Sequence, residues 1–260
     1  MEKCVRSARQ AGVFKPFQVL TDRPLAGCEC YDAFQCDKAD GLFKLHYLKA
    51  GMSRLNFDYF IWLDADTVFA RNPVDALGPL GRSPIHVPLE TNLSALAEDH
   101  EWKGVSGFRL REVFHREGLA EPVYFSRSAF WIVHHEAIEP VYELALRFWH
   151  QARQAGLKAG VDAALGYAMH LLCADTEAHL LAKHPELWGS DDGGRFEAAP
   201  ADSGPWQCGR RPGPSVPSVL PAIIHLGRRS GAAGRSEPLP GTSVVAPCVT
   251  GDTPPEGGLA

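Results

Sequence analysis

The chain has 260 residues, 45% of them apolar, which is enough to bury a large core, and one domain is the simplest expectation. A formal net charge of -5, from 26 basic and 31 acidic side chains, leaves no basic stripe to follow a phosphate backbone, so nucleic acid is excluded as the expected partner. No apolar run reaches transmembrane length and the start Met1-Glu2-Lys3-Cys4-Val5-Arg6 lacks the apolar heart of a signal peptide, so a cytoplasmic location is expected.

In chain order, the pattern predicts a helix over residues 3–11 and an apolar strand from Phe17 to Asp22. The cysteines Cys28, Cys30 and Cys36 match no zinc spacing, and a chain of this size needs no disulfide staples, so they read as reduced thiols. A second helix, 42–55, carries Leu42, Leu45, Leu48, Met52 and Leu55 at the spacing of one buried face. The short aromatic run Phe57 to Leu63 reads as a buried strand that delivers Asp64-Ala65-Asp66 at its C-terminal end, before the turn signal Asn72-Pro73.

Further along, 85–89 and 123–134 are expected strands, the second centred on Phe130, Trp131, Ile132 and Val133. Helices follow at 136–155 and 162–173, with Asp162 as an acid or cap at the start of the latter. The stretch 190–220 reads as a partly ordered loop, and Ala222-Ile223-Ile224-His225 as the last strand. Residues 231–260 are rich in Gly, Pro, Ser and Thr with few large apolar groups, so a disordered tail is expected behind a domain spanning 1–230. Alternating strands and helices predict an α/β fold with a mostly parallel central sheet and helices on both faces.

Carboxylates one residue apart at the end of a buried strand suit a hard divalent cation, because ligands in open α/β sheets gather outside the strands' carboxyl ends. In extended chain, positions i and i+2 point the same way, which would converge Asp64 and Asp66. A histidine as third ligand tilts the choice towards Mn²⁺ over Mg²⁺.

The aspartate pair, the strand 123–134 leading into a helix, the Asp162 helix and His225-Leu226-Gly227 together resemble a GT-A glycosyltransferase, in particular the retaining family 8 that contains glycogenin and bacterial lipopolysaccharide galactosyltransferases. The resemblance covers about residues 3–229. It implies that Asp64, Asp66 and His225 hold Mn²⁺ against the diphosphate of a nucleotide-sugar. It further implies that Lys44, Gly227 and Arg228 contact that donor, with either Arg228 or Arg229 able to pair with its diphosphate through a forked hydrogen bond. Asp162 stands where the family has an Asp-Gln pair near the donor sugar and is the candidate catalytic residue, although Ala163 follows it here. Where the family carries an Asn-x-Gly turn, this chain has Ser126-Arg127-Ser128. A GT-A protein usually opens with a strand, whereas this sequence opens on a helix, so the first strand is expected to be missing.

The implied activity is transfer of a hexose from a UDP-sugar to a glycan, lipid or protein acceptor with retention of configuration. Two other readings use the same residues. Asp64-Ala65-Asp66-Thr67-Val68 also resembles the first motif of haloacid-dehalogenase-like phosphatases, with Asp64 as nucleophile and Asp66 as general acid. The scaffold could instead bind a nucleotide-sugar without turning it over. Trp102, Phe108, Trp149 and Trp188 are candidates either for stacking on a glycan or for the core.

Overall fold

A computed structural model describes residues 2–13, 18–21, 29–32, 42–51, 58–92, 101–102, 105–119, 123–158, 160–175, 184–190, 196–199, 207–210, 220–226 and 243–248. The chain enters through α1 (Glu2–Gln10), β1 (Gln18–Thr21), β2 (Glu29–Asp32) and α2 (Phe43–Gly51). Then come β3 (Tyr59–Asp64), β4 (Thr67–Phe69), the single turn α3 (Val74–Leu77), β5 (Ile85–His86), β6 (Leu89–Asn92), β7 (Glu101–Trp102) and β8 (Val105–Ser106). α4 (Gly107–Arg116) is capped by Ser106, whose side chain accepts from the backbone N–H of Arg109. β9 (Tyr124–Ser126), β10 (Phe130–His134), α5 (Ile138–Gln154) and α6 (Val161–Leu172) follow. The remaining strands are β11 (Trp188–Ser190), β12 (Phe196–Ala199), β13 (Gln207–Arg210), β14 (Ile223–His225) and β15 (Ser243–Cys248).

The fold is mixed α/β, as the sequence predicts. Its main sheet has six strands in the order β2-β1-β15-β3-β10-β5. Here the expectation of a mostly parallel sheet is corrected: β1 and β2 pair in parallel, while the other four ladders are antiparallel. The cause lies in two strands. β1, β2, β3 and β5 share one direction, but β10 and β15 run against them and sit between them. A second sheet, β11-β14-β4, adjoins the first through the turn that joins β3 to β4.

Strand alternation gives this sheet two buried faces. Phe60 and Trp62 of β3, with Trp131 and Val133 of β10, belong to the core packed under α2, α4, α5 and α6. Ile61 and Leu63, with Phe130 and Ile132, turn the other way and join α1, α3 and β14. The register pairs Trp62 with Trp131 and Ile61 with Ile132, so a slip of one residue would exchange the two faces wholesale. A sheet buried on both sides accounts for the continuous apolar runs in the sequence.

Several boundaries differ from the sequence expectations. The expected strand 123–134 is two strands, β9 and β10, broken at residues 127–129. The expected tail 231–260 contains β15, which lies between β1 and β3, and the expected loop 190–220 contains the β12–β13 hairpin. Sequence reading also overlooked β2 and α4. Among the described residues, no helix is long and apolar enough to cross a membrane.

Candidate metal centre

Asp64 is the last residue of β3, and Ala65-Asp66 form the turn into β4. The two carboxylates are thus brought together by a turn between two sheets and not by the side-chain alternation of one extended strand. β4 pairs antiparallel with β14, setting His225 opposite Thr67, and the N–H of Leu226 donates to the carbonyl of Asp66 at 3.0 Å. That ladder carries the imidazole to the turn: His225 Nε2 lies 3.3 Å from Asp66 Oδ1.

One ligand atom from each of Asp64, Asp66 and His225 lies within 4.8 Å of the others, so the three could hold a metal ion. Opposite ligands about 2.1 Å from a small dication are about 4.2 Å apart, so the grouping needs to contract only slightly to close on one. The residue types are carboxylate oxygens plus an imidazole, a donor set that several divalent cations accept. A buried hydroxyl beside the centre, Thr67 Oγ1, has no hydrogen-bond partner.

The surroundings fix these side chains. Asp64 Oδ1 accepts from Lys44 Nζ at 3.0 Å and from the indole N–H of Trp62 at 3.2 Å. Its backbone N–H donates to Ala129 O at 2.8 Å. His225 Nδ1 lies 3.4 Å from Ser190 Oγ, because β11 and β14 pair Ser190 with His225. Its ring also stacks on Trp188, which itself stacks on Phe130. With the proton on Nε2, His225 donates to Asp66; were Nε2 to hold a metal ion, the proton would sit on Nδ1, where the Ser190 oxygen could accept it. Burial pushes the Asp66 carboxyl up, but the His225 hydrogen bond and charge, the residue's own backbone N–H and Lys44 outweigh it and hold the carboxyl below its ordinary value.

Lys44 is 8% exposed, so it is not a solvated helical charge; besides Asp64 it donates to Ser128 O and Ser128 Oγ at 2.9 and 3.3 Å. Asp162 is near the centre in a different role from a cap. The N-cap of α6 is Gly160, which makes no side-chain cap, while the Asp162 carboxylate accepts from the backbone N–H of Ser128. Gly227, Arg228 and Arg229 lie outside the described residues. Trp188 is a core and centre residue, not an exposed stacking platform, whereas Phe108 is 41% exposed.

Sequence reasoning missed Trp62 and Ser190, and it read Ser126-Arg127-Ser128 only as the segment standing where the family carries an Asn-x-Gly turn. Trp62 was within reach, because residue i−2 of a strand shares the face of Asp64. Ser190 needed the β11–β14 register, which no local signal carries. Arg127 Nη1 donates to the same Ser190 hydroxyl at 3.3 Å. Fold and site together define a mixed α/β chain with an Asp-Asp-His group able to take a metal ion. No protein-family model matches the chain, and no curated protein matches it.

Proposed function

We propose that the chain is a Mn²⁺-dependent glycosyltransferase that moves a hexose from a UDP-sugar to a glycan, lipid or protein acceptor with retention of configuration. The observation that carries this reading is the convergence of Asp64, Asp66 and His225 within 4.8 Å at the carboxyl end of a buried strand. When bound, a dication supplies countercharge to a departing diphosphate. A unit-charge contact of this kind at about 4 Å contributes roughly 4 kcal/mol in a partly screened site, enough to decide whether turnover is measurable.

The protein's own part is orientation. Lys44 and Trp62 fix one oxygen of Asp64, Ser190 steadies the His225 ring, and Asp162 holds the backbone of the 126–128 turn beside them. Asp162 is therefore assigned as a positioning residue of the centre. The phosphatase reading is the weaker one. It requires Asp66 to give a proton to a leaving group, and a carboxyl held below its ordinary value is a poor donor near neutral pH.

The test is a thermal-shift titration with UDP and Mn²⁺, followed by UDP-sugar hydrolysis. At a hundredfold excess over its dissociation constant a ligand adds about 2.7 kcal/mol, or roughly 5–10 °C for a chain of this length. Asp64→Asn and Asp66→Asn are each expected to abolish the Mn²⁺-dependent shift and to cut hydrolysis at least about 100-fold. Absence of any shift in the native protein would sink the reading. A shift without hydrolysis or transfer would leave a nucleotide-sugar-binding module.

A further inference from the structure

Thr67 follows Asp66 in the chain and opens β4. It is 0% exposed, and among the described residues its Oγ1 has no hydrogen-bond partner. A hydroxyl shut away from water without a partner carries a desolvation cost, and valine would fill the place with no polar atom at all. Ser7, a second buried hydroxyl facing β4, shows the contrast. Its Oγ donates to Cys4 O at 2.8 Å and accepts from the N–H of Phe69 at 3.0 Å. The fold satisfies that hydroxyl and leaves the one on Thr67 open.

The ladder between β4 and β14 fixes what stands next to Thr67. Leu226 N–H donates to Asp66 O at 3.0 Å, and Ala70 N–H donates to Ala222 O at 2.8 Å. Residues 66 and 226, like 70 and 222, are therefore hydrogen-bonded pairs of this antiparallel ladder, and the alternation makes Thr67 and His225 a non-hydrogen-bonded pair. Pairs of that kind bring side chains closest together: their Cα atoms stand about 4.5 Å apart and both side chains leave on the same face. Phe69 and Ile223 form the next such pair and belong to the core. On this face the apolar interior ends at Phe69 and Ile223, and the polar centre begins with Thr67 and His225, whose Nε2 meets Asp66 Oδ1 at 3.3 Å. The open hydroxyl thus lies between one candidate ligand that precedes it in sequence and another that faces it across the ladder.

We propose that Thr67 Oγ1 is a further ligand of the ion held by Asp64, Asp66 and His225. A hydroxyl oxygen offers lone pairs and brings no charge, and Ser and Thr take this part beside a dication in phosphate-binding loops. The ion is the use for which the buried oxygen is kept. The proposal rests on the metal reading above, and its test separates the two. Mn²⁺ is titrated by calorimetry into the native chain, Thr67→Val and Thr67→Ser, and each protein is also melted in chelator without metal.

Thr67→Val is expected to bind Mn²⁺ about 10- to 100-fold more weakly, the weight of one contact to a charged centre. Without metal it should melt about 2–4 °C above the native chain, because an unpartnered hydroxyl has left the interior. Thr67→Ser keeps the oxygen and should hold Mn²⁺ within about threefold of the native affinity. Equal Mn²⁺ affinity in Thr67→Val and the native chain overturns the assignment and leaves the metal centre standing. A lower metal-free midpoint in Thr67→Val also overturns it, since the hydroxyl then serves the fold. So does an equal loss in Thr67→Ser, which traces the effect to the missing methyl group. Failure of the native chain to bind Mn²⁺ removes this proposal and the metal reading together. Should Thr67→Val not fold, Thr67→Ser against Thr67→Ala makes the same comparison of oxygen present and absent. Tighter Mn²⁺ binding by Thr67→Ser supports the ligand, and equal binding by the two overturns it.

Discussion

The indole of Trp62 is fully buried and stacks on Trp131 with ring centroids 5.6 Å apart, while its N–H reaches Asp64 Oδ1. One side chain therefore belongs both to the core under α2 and α5 and to the orientation of a candidate ligand. Trp62→Phe keeps most of the apolar surface and removes only the donor and part of the ring. Its stability is expected to fall by about 1–2 kcal/mol, and Mn²⁺ affinity by about tenfold, the usual weight of an outer hydrogen bond on a ligating carboxylate. A Mn²⁺ titration that leaves the affinity unchanged would show that the indole merely packs. At this scale the sequence was readable where a residue's setting is local. Asp64 and Asp66 stand out because an apolar strand runs straight into them. Lys44 was readable only through the family resemblance, since its ion pair spans 20 residues, and nothing in its own segment tells a buried ammonium from a solvated one.

Helix α6 shows how one element can break another. Near its start, Asp162 takes the N–H of Ser128 and the hydroxyl of Ser126, and near its end His170 Nε2 accepts the N–H of Tyr124 at 2.9 Å. Backbone groups that a continuous 123–134 strand would have paired elsewhere are drawn to the helix, and β9 and β10 separate at the turn. The polar run Ser126-Arg127-Ser128 marks the place of the break in the sequence, but the contacts to α6 that fix it come from residues more than 30 positions away. His170 also sets a pH dependence. Burial, the dominant influence, pushes its pKa down from 6.5 to about 4. The folded state then binds a proton less readily than the unfolded chain, so this contribution to stability is complete above about pH 6.5 and is lost as pH falls towards 4. The loss is at most about 3 kcal/mol. Melting followed from pH 7 to pH 4.5 should show the midpoint fall, and His170→Gln, which keeps an acceptor but cannot titrate, should flatten that part of the profile. An unchanged profile in the variant would acquit His170.

At the scale of the molecule, the class of fold was legible and the sheet was not. The alternation of α1, β1, α2 and β3 announces α/β architecture, and the faces of β3 follow from its apolar pattern. Which strands neighbour one another depends on contacts between distant segments, and β15 illustrates the point. Ser243-Val244-Val245-Ala246-Pro247-Cys248 is a short apolar run inside a Gly- and Pro-rich stretch, too brief to outweigh its surroundings in a reading by composition. In the sheet it pairs with β1 on one side and with all six residues of β3 on the other. A chain ending after residue 230 is therefore expected to lose more than about 3 kcal/mol, since two ladders lose their partner at once. A melting midpoint matching that of the full chain would show that β15 contributes nothing. The position of β15 also bears on how the protein is made. Its residues leave the ribosome roughly 180 positions after the β3 residues they pair with, and long-range pairings of this kind form slowly. Until they arrive, the nascent polypeptide holds two half-sheets whose inner edges are open to any neighbouring strand, so yield in the cell should depend on chaperones that shield those edges during synthesis.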